Sequence, residues 1–434
     1  MKIGIIGAGI SGLTAAYYLS RNHQVTVFES ADRIGGHTAT IDVSHQGVDY
    51  SIDTGFIVFN DWTYPNFIEL MDELGVDSQS TEMSFSVRCE STGIEYGGNN
   101  LNTMFAQRSN LLRPSFHRMI KDILRFNREA IRDLESGEIS QATTLGEYLR
   151  ANRYGDAFVY RYILPMGCAI WSASTERMID FPFRFFVQFF KNHGLLSVNN
   201  RPQWRVIKGG SRQYLAPLIE DFRESIVLNA NVRQIRRSDD SVEVTMSDGQ
   251  AQSFDHVVMA CHSDQALSLL DDASLSERSV LGAIPYQQNE VVLHTDEALL
   301  PQQRLAWSSW NYLLRKNFQE RAVLTYNMNI LQGIRSDSTF CVTLNATDSI
   351  SPARIIERFN YSHPVFSLEA VAAARRIEQI NGRKNTWFAG AYLGNGFHED
   401  GVLSGRKVAR SINGLPGLSF SSGGLTPSQV AARA

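Results

Sequence analysis

The strongest constraint on this chain stands at its beginning. Lys2-Ile3-Gly4-Ile5-Ile6 is a short apolar run suited to a strand buried on both faces. It is followed by Gly7-Ala8-Gly9-Ile10-Ser11-Gly12, a complete GxGxxG, and then by LTAAYYLSRN, where Leu13, Ala16, Tyr17 and Leu19 recur at helical spacing. A second apolar run, QVTVF, ends in Glu29. Strand, glycine turn, helix, strand and terminal acid occur in the order of a dinucleotide-binding βαβ unit. Gly7 permits the tight turn, Gly9 lets backbone approach a pyrophosphate, and Gly12 lets the helix pack close to the strand. Ser11 falls in the first helical turn, whose unpaired N–H groups attract phosphate. Glu29 is placed to accept hydrogen bonds from ribose hydroxyls. A purely structural glycine turn is the competing reading, and the intact surroundings outweigh it.

The residues that follow say which dinucleotide. Glu29-Ser-Ala-Asp-Arg33-Ile-Gly35-Gly36-His37-Thr38 resembles the acid-xxx-Arg-x-Gly-Gly extension of FAD-binding oxidoreductases. That superfamily includes monoamine oxidases, protoporphyrinogen oxidases and phytoene desaturases. The resemblance implies that Arg33, Gly35, Gly36, His37 and Thr38 wrap the FAD phosphates and ribityl chain, with His37 replacing the usual arginine. Asp53-Thr-Gly55 resembles the strand that lines the flavin, and Lys208-Gly-Gly-Ser resembles a glycine turn opening a helix beside it. Residues 228–235 read as a strand, with Val232 meeting the adenine through its backbone. Near the C-terminus, NTWFAG ending at Gly390, then GNGFHEDGVLSG, resembles the closing motif of the family. There the backbone at Gly401 and Val402 would touch the flavin. GxGxxG occurs complete only once, so a second nucleotide domain for NAD(P)H is not expected.

These matches imply an α/β chain with a discontinuous Rossmann-type FAD-binding domain and an inserted α+β substrate domain. Residues 1–75, 205–285 and 380–412 are assigned to the first, and 76–204 and 286–379 to the second. Residues 413–434, rich in Gly, Ser and Pro, are expected to form a flexible tail. Phe181-Pro-Phe-Arg-Phe-Phe-Val-Gln-Phe-Phe190 carries more aromatic surface than one amphipathic face needs. It reads as domain core, as the wall of a lipophilic tunnel, or as a peripheral membrane contact.

Composition closes off other classes. With 43% apolar and 20% charged residues the chain is globular, and its net charge of -4 leaves no basic surplus for nucleic acid. Four scattered cysteines read as reduced thiols of a cytoplasmic protein. Ten histidines show no ligand spacing, so no metal is expected. No apolar stretch is long enough to span a bilayer.

Candidate catalytic groups are His398, a residue able to exchange protons near neutral pH, and Tyr392, an aromatic wall. Amine oxidases of the superfamily place a lysine beside flavin N5, yet Gln288–His294, the strand that resembles theirs, has none. No cysteine stands near the closing motif for covalent flavin attachment. The GGHT, IDTGFIVFN and LHTD segments resemble a bacterial amine-oxidase-like subgroup, often encoded beside enzymes that modify unsaturated fatty acyl chains. The expected activity is therefore dehydrogenation of a small hydrophobic substrate, such as an unsaturated fatty acyl chain, by hydride transfer to flavin N5. The alternatives are amine oxidation with release of hydrogen peroxide, a redox-neutral flavin-dependent isomerisation, and a non-catalytic flavin-binding protein.

Overall fold

The structure is a computed structural model and describes residues 1–316 and 321–415. Of the expected tail, only Asn413, Gly414 and Leu415 fall among them; the rest of that expectation lies outside the described residues.

The opening βαβ unit forms as its pattern demands. Strand Lys2–Ile6 pairs in parallel with Gln24–Phe28 on one side and His256–Met259 on the other. Ile226–Val227 and Thr386–Phe388 complete a five-stranded parallel sheet whose members come from three distant parts of the sequence. Helix Ile10–Ser20 is buried along nearly its whole length, which explains why it is apolar on all sides rather than amphipathic. It packs against the long C-terminal helix His398–Ile412. Two glycines on that second helix allow the approach. A Cβ at Gly401 would lie 2.6 Å from Ile10 Cγ2, and one at Gly405 would lie 2.4 Å from the Ser11 carbonyl oxygen.

A seven-stranded sheet makes the second layer. Its order is Ile355–Pro364, Tyr286–His294, Cys341–Leu344, Leu324–Asn327, Trp310–Leu314, Phe85–Cys89 and Ile94–Gly97. Every neighbouring pair is antiparallel except Trp310–Leu314 with Phe85–Cys89. Helices between Pro114 and Asn192 cover one end and share a core with Val87, Ile94 and Tyr312.

One local reading changes. Residues 228–231 are not strand: Asn229 adopts φ 53°, and the strand begins at Val232. Thr144 caps helix Leu145–Ala151, accepting from Glu147 N at 3.2 Å. The phenylalanine run becomes helix Phe183–Asn192, in which Phe183, Phe186, Phe189 and Phe190 are core. Phe185 alone among its helical phenylalanines is partly exposed, stacked on Phe366 at 5.3 Å. No helix among the described residues is long and apolar enough to cross a membrane.

Candidate active site

The floor of the site is backbone. A Cβ on Gly12 would sit 2.0 Å from the Gly7 carbonyl oxygen, and one on Gly7 2.8 Å from that of Ala260. Gly7 also has φ 107°, a conformation that favours glycine. Gly9 differs, because its Cβ would meet nothing within 4 Å and its φ of −77° suits any residue. What the chain itself does not require at Gly9, an occupant does. The first-turn N–H groups at Ser11 and Gly12 have no intrahelical partner, leaving the helix N-terminus beside that space able to donate. Glu29 stands at the adjoining strand end, where its carboxylate accepts from Ala8 N at 2.8 Å and Ala31 N at 2.9 Å.

The next loop is stitched to this floor. Gly35 N donates to the Ala8 carbonyl at 2.8 Å, and Gly36 comes so near Gly9 that its Cβ would lie 3.3 Å from the Gly9 Cα. The Arg33 guanidinium donates to the carbonyls of Gly36 at 3.0 Å and Thr38 at 3.2 Å, so it shapes the loop from within. Gly55 is required by the same loop, since its Cβ would fall 2.1 Å from the His37 carbonyl oxygen. Beneath it Asp53 is fully buried and accepts from Ser211 N at 2.8 Å and Thr40 Oγ1 at 2.6 Å. Burial nevertheless pushes its carboxyl up to about 6. Val232, ten strands after the opening strand in sequence order, begins a separate antiparallel meander and pairs with Met246.

His398 lies in the first turn of the C-terminal helix rather than in a loop. Its Nε2 meets Thr38 Oγ1 at 3.0 Å and Tyr214 Oη at 3.2 Å, and Thr38 and Tyr214 hydrogen-bond to each other. Phe56 stacks on its ring at 3.6 Å. Burial holds its pKa down at about 3, so the imidazole is neutral at neutral pH. This geometry ties the cofactor loop to the helix and suits positioning better than proton exchange. Tyr392 is buried with Phe388 and Leu393, and its hydroxyl has no partner. Its ring explains Gly390, whose Cβ would overlap it at 2.1 Å. Val402 is core, leaving only its backbone for a ligand.

Sequence reasoning missed a second group, brought in by the large sheet. His363, on strand Ile355–Pro364, stands 5.3 Å from His37 ring to ring, and Tyr361 stands 5.1 Å from it. His37 Nε2 is buried without a partner. Burial, and then the neighbouring His363 and His262, hold His37 well below its ordinary pKa. His363 also lines a narrow, partly enclosed cleft with Trp171, Phe181, Gln287, Phe366 and Arg177. Nothing in the local sequence marks His363; it gains meaning only from strand pairing.

FAD fits this floor. The space before Gly9, the free helix N-terminus, the carboxylate of Glu29 and the glycine loop at 35–36 match a diphosphate and ribose, and the unpartnered His37 Nε2 and Tyr392 Oη leave polar atoms for a further ring system.

Comparisons agree with the geometry. The model of the flavin containing amine oxidoreductase family matches residues 10–319. A Mycobacterium tuberculosis protein that carries the name flavin-containing monoamine oxidase AofH is 28% identical over 263 residues, 58% of this chain and 55% of that one. The chain thus spans about half the length of this curated relative. Among solved structures, the fatty acid isomerase from P. acnes that produces CLA superposes with TM-score 0.65 at 17% identity, covering 95% of this chain and 97% of that one. Cyclohexylamine oxidase from Brevibacterium oxydans superposes with TM-score 0.64 at 16% identity, covering 95% and 98%. At such identities the structures establish a shared fold.

Proposed function

The chain belongs to the flavin containing amine oxidoreductase family and is an FAD-dependent oxidoreductase, and from that premise we propose that it dehydrogenates a hydrophobic, acid-bearing substrate such as an unsaturated fatty acyl chain. The observation that carries this reading is the cleft beside His363. Its walls are Trp171, Ala173, Phe181, Pro364, Val365 and Phe366, and no Asp or Glu lines it. Arg177 stands exposed at its edge, and its guanidinium has no hydrogen bond or ion pair among the described residues. An ammonium substrate finds no countercharge in such a lining, whereas an acyl chain finds apolar walls and its carboxylate finds a free guanidinium.

FAD, when bound, accepts a hydride from a substrate carbon. The residues of this chain do the rest. We assign Gly9, Ser11 and Gly12 to the diphosphate, Glu29 to the ribose, and Gly35 through Thr38 to the chain leading to the flavin. Arg33, Gly55 and His398 hold that loop in shape. Val232, Gly390, Gly401 and Val402 act through backbone or packing, and Tyr392 lies behind the ring site. In this reading residues 1–75, 205–285 and 380–412 build the cofactor domain and the two inserts build the substrate domain. A buried, neutral polar lining keeps water and stray protons from the reacting carbon.

The P. acnes isomerase shares the fold and acts, by its name, on fatty acids, so a redox-neutral outcome on the same substrate class is the second reading. The test is anaerobic mixing of the flavin-loaded protein with unsaturated fatty acids and, separately, with primary amines. Bleaching of the flavin by the acids alone supports dehydrogenation. Double-bond migration without an acceptor consumed points to isomerisation, and bleaching by amines alone overturns the proposal.

A further inference from the structure

His363 reaches the cleft through a chain of amides that begins at the backbone. Asn345 sits in a left-handed conformation, φ 59°, which its short polar side chain tolerates. Its Oδ1 accepts from Glu290 N at 3.1 Å and its Nδ2 donates to the Ala322 carbonyl at 3.0 Å. Main-chain groups at both ends therefore fix which way this amide faces. Its second N–H donates to Asn289 Oδ1 at 2.9 Å, so Asn289, fully buried, must turn its own Nδ2 outward. That Nδ2 lies 2.9 Å from His363 Nδ1. An amide nitrogen only donates, so Nδ1 must accept, and the ring proton of the neutral imidazole is forced onto Nε2. Register makes the contact possible: Asn289 pairs with Tyr361 and Gln287 with His363, placing the four side chains on one face of the sheet.

Neutrality is secured separately. Burial first, and then the nearby His262, push His363 down to about 4. The groups around it are His37, His262, Tyr361 and Gln287, and none is a carboxylate that would stabilise an imidazolium.

We propose that Asn345 and Asn289 lock His363 as a hydrogen-bond donor through Nε2, and that this N–H binds an acceptor oxygen of the substrate, a carbonyl or carboxylate, within the aromatic cleft. His363 is thus not a base in the reaction, since its one free nitrogen already carries the proton. An N–H offers nothing to an ammonium group, so the device selects against cationic amines. The assignment rests on the cleft being the substrate's path, and its test separates the two ideas.

The first measurement is proton–nitrogen correlation NMR on flavin-loaded protein labelled at histidine nitrogen. The Nε2–H tautomer at neutral pH is expected for His363; an Nδ1–H tautomer or an imidazolium overturns the assignment whatever the substrate proves to be. The second measurement is binding of oleate, read by perturbation of the flavin spectrum. Asn289→Leu removes the donor that holds Nδ1 as an acceptor, and in it the Nε2–H tautomer should no longer be exclusive while the flavin stays bound. His363→Gln, which can still present an N–H, should retain oleate within about threefold, and His363→Phe should not, which guards against a variant that fails to fold. Equal oleate affinity in the wild type and H363F overturns the proposal. A wild type with the Nε2–H tautomer that binds no fatty acid overturns the acyl reading and with it the substrate half of this inference, leaving the donor assigned.

Discussion

The two sides of the site are made of different material. The floor, from Gly7 to Gly55, is main chain packed against main chain, braced by few side chains such as Arg33: carbonyls of Gly7, Ala260 and His37 occupy the positions where side chains would begin. The wall, from Gln287 and Asn289 across to Tyr361 and His363, is made of side chains held by other side chains. A floor of this kind recognises what every FAD carries, a diphosphate and a ribose, and tolerates no change of shape. A wall of this kind is free to vary, because altering an amide or a ring leaves the strands paired. One fold therefore keeps one cofactor while its members differ in substrate.

The largest effects should come from filling space that the fold itself uses. Gly12→Ala drives a methyl group into the Gly7 carbonyl and against Ala260, and should cost about 3 kcal/mol or more together with all flavin binding. Phe186→Ala empties a fully buried position in the helical core and should cost roughly 3–5 kcal/mol. Denaturant melts of the purified variants check both. A Phe186→Ala protein as stable as the wild type would mean that the phenylalanine helix is not core.

A smaller effect, specific to the wall and the knot at His398, comes with acid. His398 is buried, as is His193 at the end of the phenylalanine helix, its Nδ1 2.9 Å from the Phe189 carbonyl, and His363 is partly buried; their pKa values are held down to about 3, about 4 and about 4, burial being the first cause in each. Each binds a proton more readily in the unfolded chain than in the folded one between its folded pKa and its ordinary value near 6.5. Their contribution to stability is therefore complete above that ordinary value and is lost as pH falls toward 4. Asp53, its carboxyl raised to about 6, acts in the opposite sense, so the histidine part is read by difference: His193→Phe should lose less melting temperature than the wild type between pH 7 and pH 4. Equal losses in the wild type and His193→Phe would show the His193 imidazole to be hydrated.

How much of this was legible beforehand follows the same division. The floor was readable because its parts are contiguous: one turn needs three glycines in six residues, and the helix and acid follow at fixed spacing. The wall was not, because Asn289, Asn345 and His363 are separated by 56 and 74 residues in their bonded pairs and meet only through antiparallel pairing. The glycines of the closing motif were recognised by likeness, yet Gly390 answers to the ring of Tyr392, and Gly401 to the side chain of Ile10. The pattern over 228–235 extends the strand too far at its start because apolar Leu228 and polar Asn229 imitate alternation, whereas Asn229 takes a turn conformation. Phe185 and Phe186 are adjacent in sequence and differ in burial because a helix turns about 100° between them.

The sharpest comparison is also the mildest substitution. Gly9→Ala differs from Gly12→Ala by three positions, and both add one methyl group to the same fingerprint. At Gly9 that methyl meets no atom of the protein, and the backbone at φ −77° accepts it without strain. Stability of the flavin-free protein should stay within about 0.5 kcal/mol of the wild type. Flavin affinity should nonetheless fall at least tenfold, since the methyl occupies the approach of the diphosphate to the helix N-terminus, and tenfold corresponds to about 1.4 kcal/mol. Fluorescence titration of the flavin-free variant with FAD reads the second number and a denaturant melt reads the first. If Gly9→Ala bound FAD as tightly as the wild type, the open space before Gly9 would not be where the diphosphate sits, and the floor would have to be assigned to a different loop.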